Sequence, residues 1–232
     1  LDGDDGVAAV VLVCAGRTDT GVHASMQVAH FDTAAHRPLE AWVRGVNSHL
    51  PASIGVLWAV EVDESFHARF SAEARRYRYV LLNRRIRPGL AGGRVGWTHG
   101  DLDEEAMAAA AACLAGEHDF TSFRAAECQA KSPVRLMHSV SVQRRGEVVV
   151  FDFHANAFLH HMIRNLVGSL VFVGKGRRPV DWMAELLAAR NRSLAAPTFA
   201  PDGLYLCGVD YPPQWPLPGG GRIIAPPQLL LP

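Results

Sequence analysis

The residues best suited to chemistry lie in one short run, Gly16-Arg17-Thr18-Asp19-Thr20-Gly21-Val22-His23-Ala24, directly after an apolar stretch. In an extended chain Arg17 and Asp19 project to the same side, which brings a guanidinium and a carboxylate together. A strand ahead of them would be a rigid support for such a pair, and Gly16 and Gly21 permit turns on either side. An aspartate between two glycines is also ordinary turn chemistry, so the run permits a site without establishing one. A second cluster holds His154, His160 and His161. No cysteine or carboxylate stands at a recognisable ligand spacing beside them, and adjacent helical histidines point in different directions. They are therefore expected to serve packing or contact with a partner, and no metal site is expected.

Positioning these groups falls to the elements around them. Val7 to Cys14 is apolar and β-branched and predicts a buried strand leading into Gly16. Gln27 to Phe31 predicts a shorter strand. Leu39 to Leu50 has helical spacing between Pro38 and Pro51, and Ile54 to Val62 predicts a strand. In Arg76 to Leu82, Tyr77, Tyr79 and Leu81 alternate with Arg76, Arg78 and Val80, the pattern of a two-faced strand. Arg84 to Gly100, rich in glycine, predicts a long connection between two halves, 1–90 and 101–211. Asp101 and Glu104 have the spacing of a capping pair for an alanine-rich helix ending at Gly116. A hairpin is expected around Gly146, helices over Phe158 to Val173 and Val180 to Ala189, and a strand over Leu204 to Val209. Residues 212–232, rich in proline and glycine, are expected to be extended or disordered.

Composition narrows the class. With 49% hydrophobic and 20% charged residues the chain is that of a folded globular protein. Its apolar runs fall short of the roughly 20 residues that cross a bilayer, and the acidic start Leu1-Asp2-Gly3-Asp4-Asp5 is no secretory signal, so a cytoplasmic location is expected. Cys14, Cys113, Cys128 and Cys207 form no paired motif and are read as reduced thiols, mostly buried. The 23 basic and 23 acidic residues cancel, which argues against indiscriminate coating of nucleic acid. Local basic patches such as Arg75-Arg76-Arg78 can still meet phosphates.

Gly-Arg-Thr-Asp-x-Gly-Val-His-Ala resembles the catalytic motif of the tRNA pseudouridine synthase A family. The resemblance continues through Phe66-His67-Ala68-Arg69-Phe70-Ser71-Ala72, Arg76-Tyr77-Arg78-Tyr79, His118-Asp119-Phe120-Thr121-Ser122-Phe123 and Asn156 to Asn165, and ends near Asp202-Gly203-Leu204-Tyr205-Leu206. It spans about nine tenths of the chain in the family's order. The family's usual opening strand, with Tyr-Asp-Gly and Gly-Trp-Gln before the catalytic run, is not found here, and its absence is expected to expose a sheet edge.

The resemblance implies an α+β fold of two pseudo-symmetric halves. Their antiparallel sheets would join into one central sheet flanked by helices, with an RNA cleft between the halves. It further implies a homodimer isomerising uridine at positions 38, 39 and 40 in the anticodon stem-loop of tRNA. Asp19 falls on the catalytic aspartate, Arg164 on its basic partner, Tyr77 on the substrate-contacting tyrosine and Arg17 on the arginine that fills the space a flipped nucleotide vacates. His23, Arg76 and Arg78 join Tyr77 and Arg17 as expected substrate-binding residues. Uracil leaves and returns within one pocket, so no cofactor is expected. Two other readings explain the Asp19 run less well: a non-catalytic RNA-binding protein that retains the fold, and a metal hydrolase built on the histidines.

Overall fold

The computed structural model of the chain describes residues 10–224. In chain order the elements are β1 (Val13–Cys14), β2 (His23–Ala24), β3 (Ala29–His30), α1 (Leu39–His49), β4 (Ala74–Asn83), β5 (Gly96–Thr98), α2 (Glu104–Ala111), β6 (Gly116–Asp119), β7 (Val134–Arg145), β8 (Val148–Ala155), α3 (Met162–Gly174), α4 (Trp182–Ala189), β9 (Leu204–Asp210) and β10 (Arg222–Ile224). The fold is α+β, built on a central sheet in the order β10-β9-β4-β8-β7-β6. This ladder is antiparallel throughout, and two short parallel strands join it, β2 beside β9 and β5 beside β4. The long connection after β4 therefore contributes a strand of its own.

Alternation along β4 divides the sheet into two chemically different faces. Tyr77, Tyr79 and Leu81 register with Phe153, Phe151 and Val149 of β8. Tyr79, Leu81 and these three β8 residues join Leu166, Leu170 and Met183 of the helices in the larger core. Burial of such side chains contributes roughly 1.5–3 kcal/mol each before entropy is counted. On the other face Arg76 and Arg78 register with His154 and Asp152. A smaller core gathers Ala15, Met26, Val28, Phe66, Leu206, Tyr211 and Trp215. Tyr77 packs against both cores and so marks the seam between them.

Several expected elements differ. Residues 1–9 lie outside the described part, and the residues after them do not form the expected buried strand: Val10, Val11 and Leu12 are exposed, and only Val13–Cys14 pair, with β3. Ile54 to Val62 runs without ladder pairing, though Trp58, Val60 and Val62 pack on the smaller core. The cap of α2 is Asp103, whose carboxylate accepts from Ala106 N at 2.9 Å, two residues beyond the expected Asp101. Residues 212–224 are ordered. Trp215, Leu217 and Ile223 are buried, Trp215 lies edge-on to Phe66 at 5.2 Å, and β10 pairs with β9. Prolines suit an extended backbone, and the apolar residues between them supply the contacts that hold it.

Candidate active site

The run from Gly16 to Ala24 leaves the smaller core at Ala15 and returns to the sheet at β2. Gln27 clamps its start: the side-chain amide donates to Gly16 O at 2.7 Å, and Gly16 N donates back to Gln27 Oε1 at 3.3 Å. A turn follows, in which Val22 N donates to Asp19 O at 3.0 Å and Gly21 takes a φ of 83°. Arg75 fastens the run to its surroundings by donating to Ala15 O, Ala72 O and Asn156 O. A backbone held at both ends gives the Asp19 side chain a fixed starting point.

That side chain is 28% exposed and faces α3. Arg164 Nη1 donates to Asp19 Oδ2 at 3.0 Å, while Arg164 Nε donates to Phe199 O at 2.9 Å. The guanidinium is thus braced by a backbone carbonyl before it meets the carboxylate. His160 Nε2 lies 3.2 Å from Asp19 Oδ1 and His161 Nε2 lies 3.2 Å from Oδ2. The adjacent histidines do not point apart as expected. α3 begins at Met162, later than Phe158, and His161 precedes it with a left-handed backbone, φ 60° and ψ 4°, so both rings turn to Asp19. Helical periodicity carries no sign of such a conformation, which is why the sequence hid it.

Tyr77 lies beside this group. Its ring meets Phe158 edge-on at 5.1 Å, and a side chain at Gly16 would contact its hydroxyl. Burial pushes the phenol up to about 12, opposed by Arg75 and assisted by Asp19, so the hydroxyl stays protonated at neutral pH. Arg17 is exposed on the same run.

The other expected substrate-binding residues lie in internal partnerships. His23 hydrogen-bonds Gly93 O at 2.9 Å and stacks on Tyr205. Arg76 pairs with Asp210 at 2.8 Å, and Arg78 makes a two-pronged pair with Asp152 at 2.7 and 2.9 Å. Both arginines belong to the sheet face opposite Tyr77. Their acidic partners come from strands far along the chain, beyond the reach of local spacing.

Among the described residues, Asp19, His160 and His161 place three potential metal-ligand atoms within 4.8 Å of one another. Arg164 already neutralises this carboxylate, so a dication would sit beside an uncompensated guanidinium. Arg164 donates a hydrogen bond to the carboxylate, and the two imidazole Nε2 atoms stand 3.2 Å from its oxygens as close polar contacts.

A family model described as tRNA pseudouridine synthase matches residues 2–71 and 110–212, well over half of the chain. The chain belongs to the tRNA pseudouridine synthase family. Among its relatives in this family, the tRNA pseudouridine synthase A of Aromatoleum aromaticum is 66% identical over 220 residues, covering 95% of this chain and 83% of the relative. That of Dechloromonas aromatica is 62% identical over 209 residues, covering 90% and 80%. The tRNA pseudouridine synthase A of Bordetella petrii is 57% identical over 217 residues, covering 92% and 81%. Family membership makes the chain an isomerase that acts on tRNA, and none of its described helices is long and apolar enough to cross a membrane.

Proposed function

We propose that this synthase-family chain converts uridine to pseudouridine at positions 38, 39 and 40 of the anticodon stem-loop of tRNA, with Asp19 as the catalytic carboxylate. The observation that carries the reading is the Asp19 side chain, part-exposed at the seam of the two cores and paired with a guanidinium anchored elsewhere. A carboxylate that must act while ionised, beside RNA that excludes water from it, needs such a cation.

The isomerisation breaks the N1–C1′ bond of uridine, turns the uracil and joins C5 to C1′. The hydrogen on C5 is released as a proton and N1 gains one, so the step balances without oxidant or cofactor. Asp19 attacks C1′, stabilises an oxocarbenium-like centre or removes the C2′ proton, all of which require the ionised form. Arg164 keeps that form in place. Tyr77 stacks on the uracil and offers a protonated hydroxyl, and the exposed Arg17 fills the space left in the RNA stack. His23, Arg76 and Arg78 would support the scaffold around these groups. The enzyme would act as a homodimer, one subunit holding the tRNA body while the other receives the loop.

Mapping pseudouridine in unmodified tRNA after incubation with wild type and Asp19→Asn tests this. Product at the three positions with wild type and none with the variant is expected. Product that persists in Asp19→Asn refutes the role of the carboxylate.

A further inference from the structure

The pair His160–His161 has no task in the proposed reaction, yet it makes two of the three side-chain contacts to Asp19. Its rings lie 3.9 Å apart, and their Nε2 atoms address different oxygens of the carboxylate. The backbone is arranged for this. His161 occupies the left-handed region that side chains other than glycine seldom use, and such outliers persist where surrounding structure holds them. Here the His160 carbonyl accepts from Ala125 N at 3.1 Å and the His161 carbonyl accepts from Asn165 N at 2.9 Å.

A carboxylate offers about four lone-pair directions. Arg164 donates to Oδ2, and the Nε2 atoms of His161 and His160 stand 3.2 Å from Oδ2 and Oδ1, so the imidazoles bound the carboxylate on both oxygens. We propose that His160 and His161 are positioning residues for pseudouridine formation: their imidazoles, seated against both oxygens of Asp19, restrict the rotation of the carboxylate and aim Oδ1 at the ribose of the target uridine. The proposal rests on the assignment of Asp19 as the catalytic carboxylate.

The neutral form of His161 suits the arrangement. A deprotonated Nε2 would face the carboxylate lone pair to lone pair. A protonated ring would add a second cation beside Arg164 and draw charge away from the reacting oxygen. The charged and titratable groups facing His161 are Asp19 from the catalytic run, His160 and Arg164 from its own segment, and Glu127 from the loop before β7. Burial is the largest influence and holds the His161 imidazole below its usual range, against the opposing charge of Asp19. The ring is therefore neutral at pH 7, and acid converts it to the inhibitory cation.

The test is kcat and KM for unmodified tRNA between pH 5 and 8 in wild type, His160→Ala, His160→Gln, His161→Asn and His161→Gln, with Asp19→Asn alongside. Asparagine tolerates the left-handed backbone at 161 but is too short to reach Asp19, whereas glutamine restores a neutral donor that does not titrate. His160→Ala and His161→Asn are expected to lose kcat by up to about 100-fold, the scale of a misplaced reacting group, with KM little changed. The glutamine variants should recover most of the loss. Wild-type kcat should fall as pH drops below neutrality, and in His161→Gln that fall should move to lower pH. Unchanged kcat in His160→Ala and His161→Asn, a loss confined to KM, or an acid limb unmoved in His161→Gln each overturns the proposal. If a variant does not fold, the wild-type profile decides, since a kcat with no acid limb down to the limit of folding also overturns it. Activity that persists in Asp19→Asn removes the underlying reading instead, whereas a dead Asp19→Asn with wild-type histidine variants removes the positioning claim alone.

Discussion

At the scale of single residues, the site turns on how many independent anchors a carboxylate has. Arg164 contributes more than charge, because its Nε is fixed on Phe199 O while Nη1 meets Asp19. Lysine preserves the charge but has one point of attachment and no fork. Arg164→Lys is therefore expected to keep the fold and tRNA affinity while lowering kcat about 10- to 100-fold, as steady-state kinetics would show. Wild-type kcat in this variant would mean that net charge alone suffices. Asp19, Arg164 and Tyr77 are singled out in the sequence by a long motif, and the structure brings Asp19 and Arg164 into contact. The turn of the histidines toward Asp19 was not legible, since the conformation of His161 has no periodic signature. Arg76 and Arg78, expected to bind substrate, pair internally: a basic cluster in sequence says nothing of Asp210 and Asp152, which neutralise it in space.

Among the elements, α3 carries Arg164 and owes its position to a close approach. A β-carbon added at Gly168, one turn beyond Arg164, would collide with the carbonyl oxygen of Pro197. That same segment supplies Phe199, whose N and O both bond Arg164. Gly168→Ala is expected to cost about 1–3 kcal/mol in chemical denaturation, from overpacking that helix propensity does not offset. It should also lower kcat, because the brace on Arg164 moves with the loop. An unchanged midpoint would show that the loop yields freely. The long periodic elements β4, β7, β8, α4 and β9 were readable from pattern, as was the hairpin at Gly146. β2 and β5 were not, because their pairing with β9 and β4 is decided by tertiary contact.

Over the whole molecule, three imidazoles shift together. Burial lowers His30, His154 and His161; at His154 the nearby Arg76 adds to it while Asp210 opposes it. In the unfolded chain each would bind its proton near the ordinary value of about 6.5, before the folded form does. Where the unfolded state holds more protons, stability rises with pH. Folding should thus weaken as pH falls through 6.5 toward the lowered values, and the melting temperature at pH 5.5 should lie below that at pH 7.5. A melting temperature that holds or rises toward acid contradicts the assignment. The α+β class was visible in the sequence as interleaved strand and helix patterns, but the packing of residues 212–224 was not. Proline content suggested an extended or disordered segment, while Trp215, Leu217 and Ile223 bury enough apolar surface to order residues 212–224.

The central claim is that the Asp19 carboxylate performs the isomerisation, and the hydrogen released from C5 reports that event directly. Unmodified tRNA carrying tritium at C5 of its uridines would be mixed with excess enzyme in a single turnover, wild type against Asp19→Asn, with tRNA binding measured in parallel. Tritium release by wild type, with none from an Asp19→Asn variant that still binds tRNA, is the expected result. Release at the wild-type rate from Asp19→Asn would contradict it.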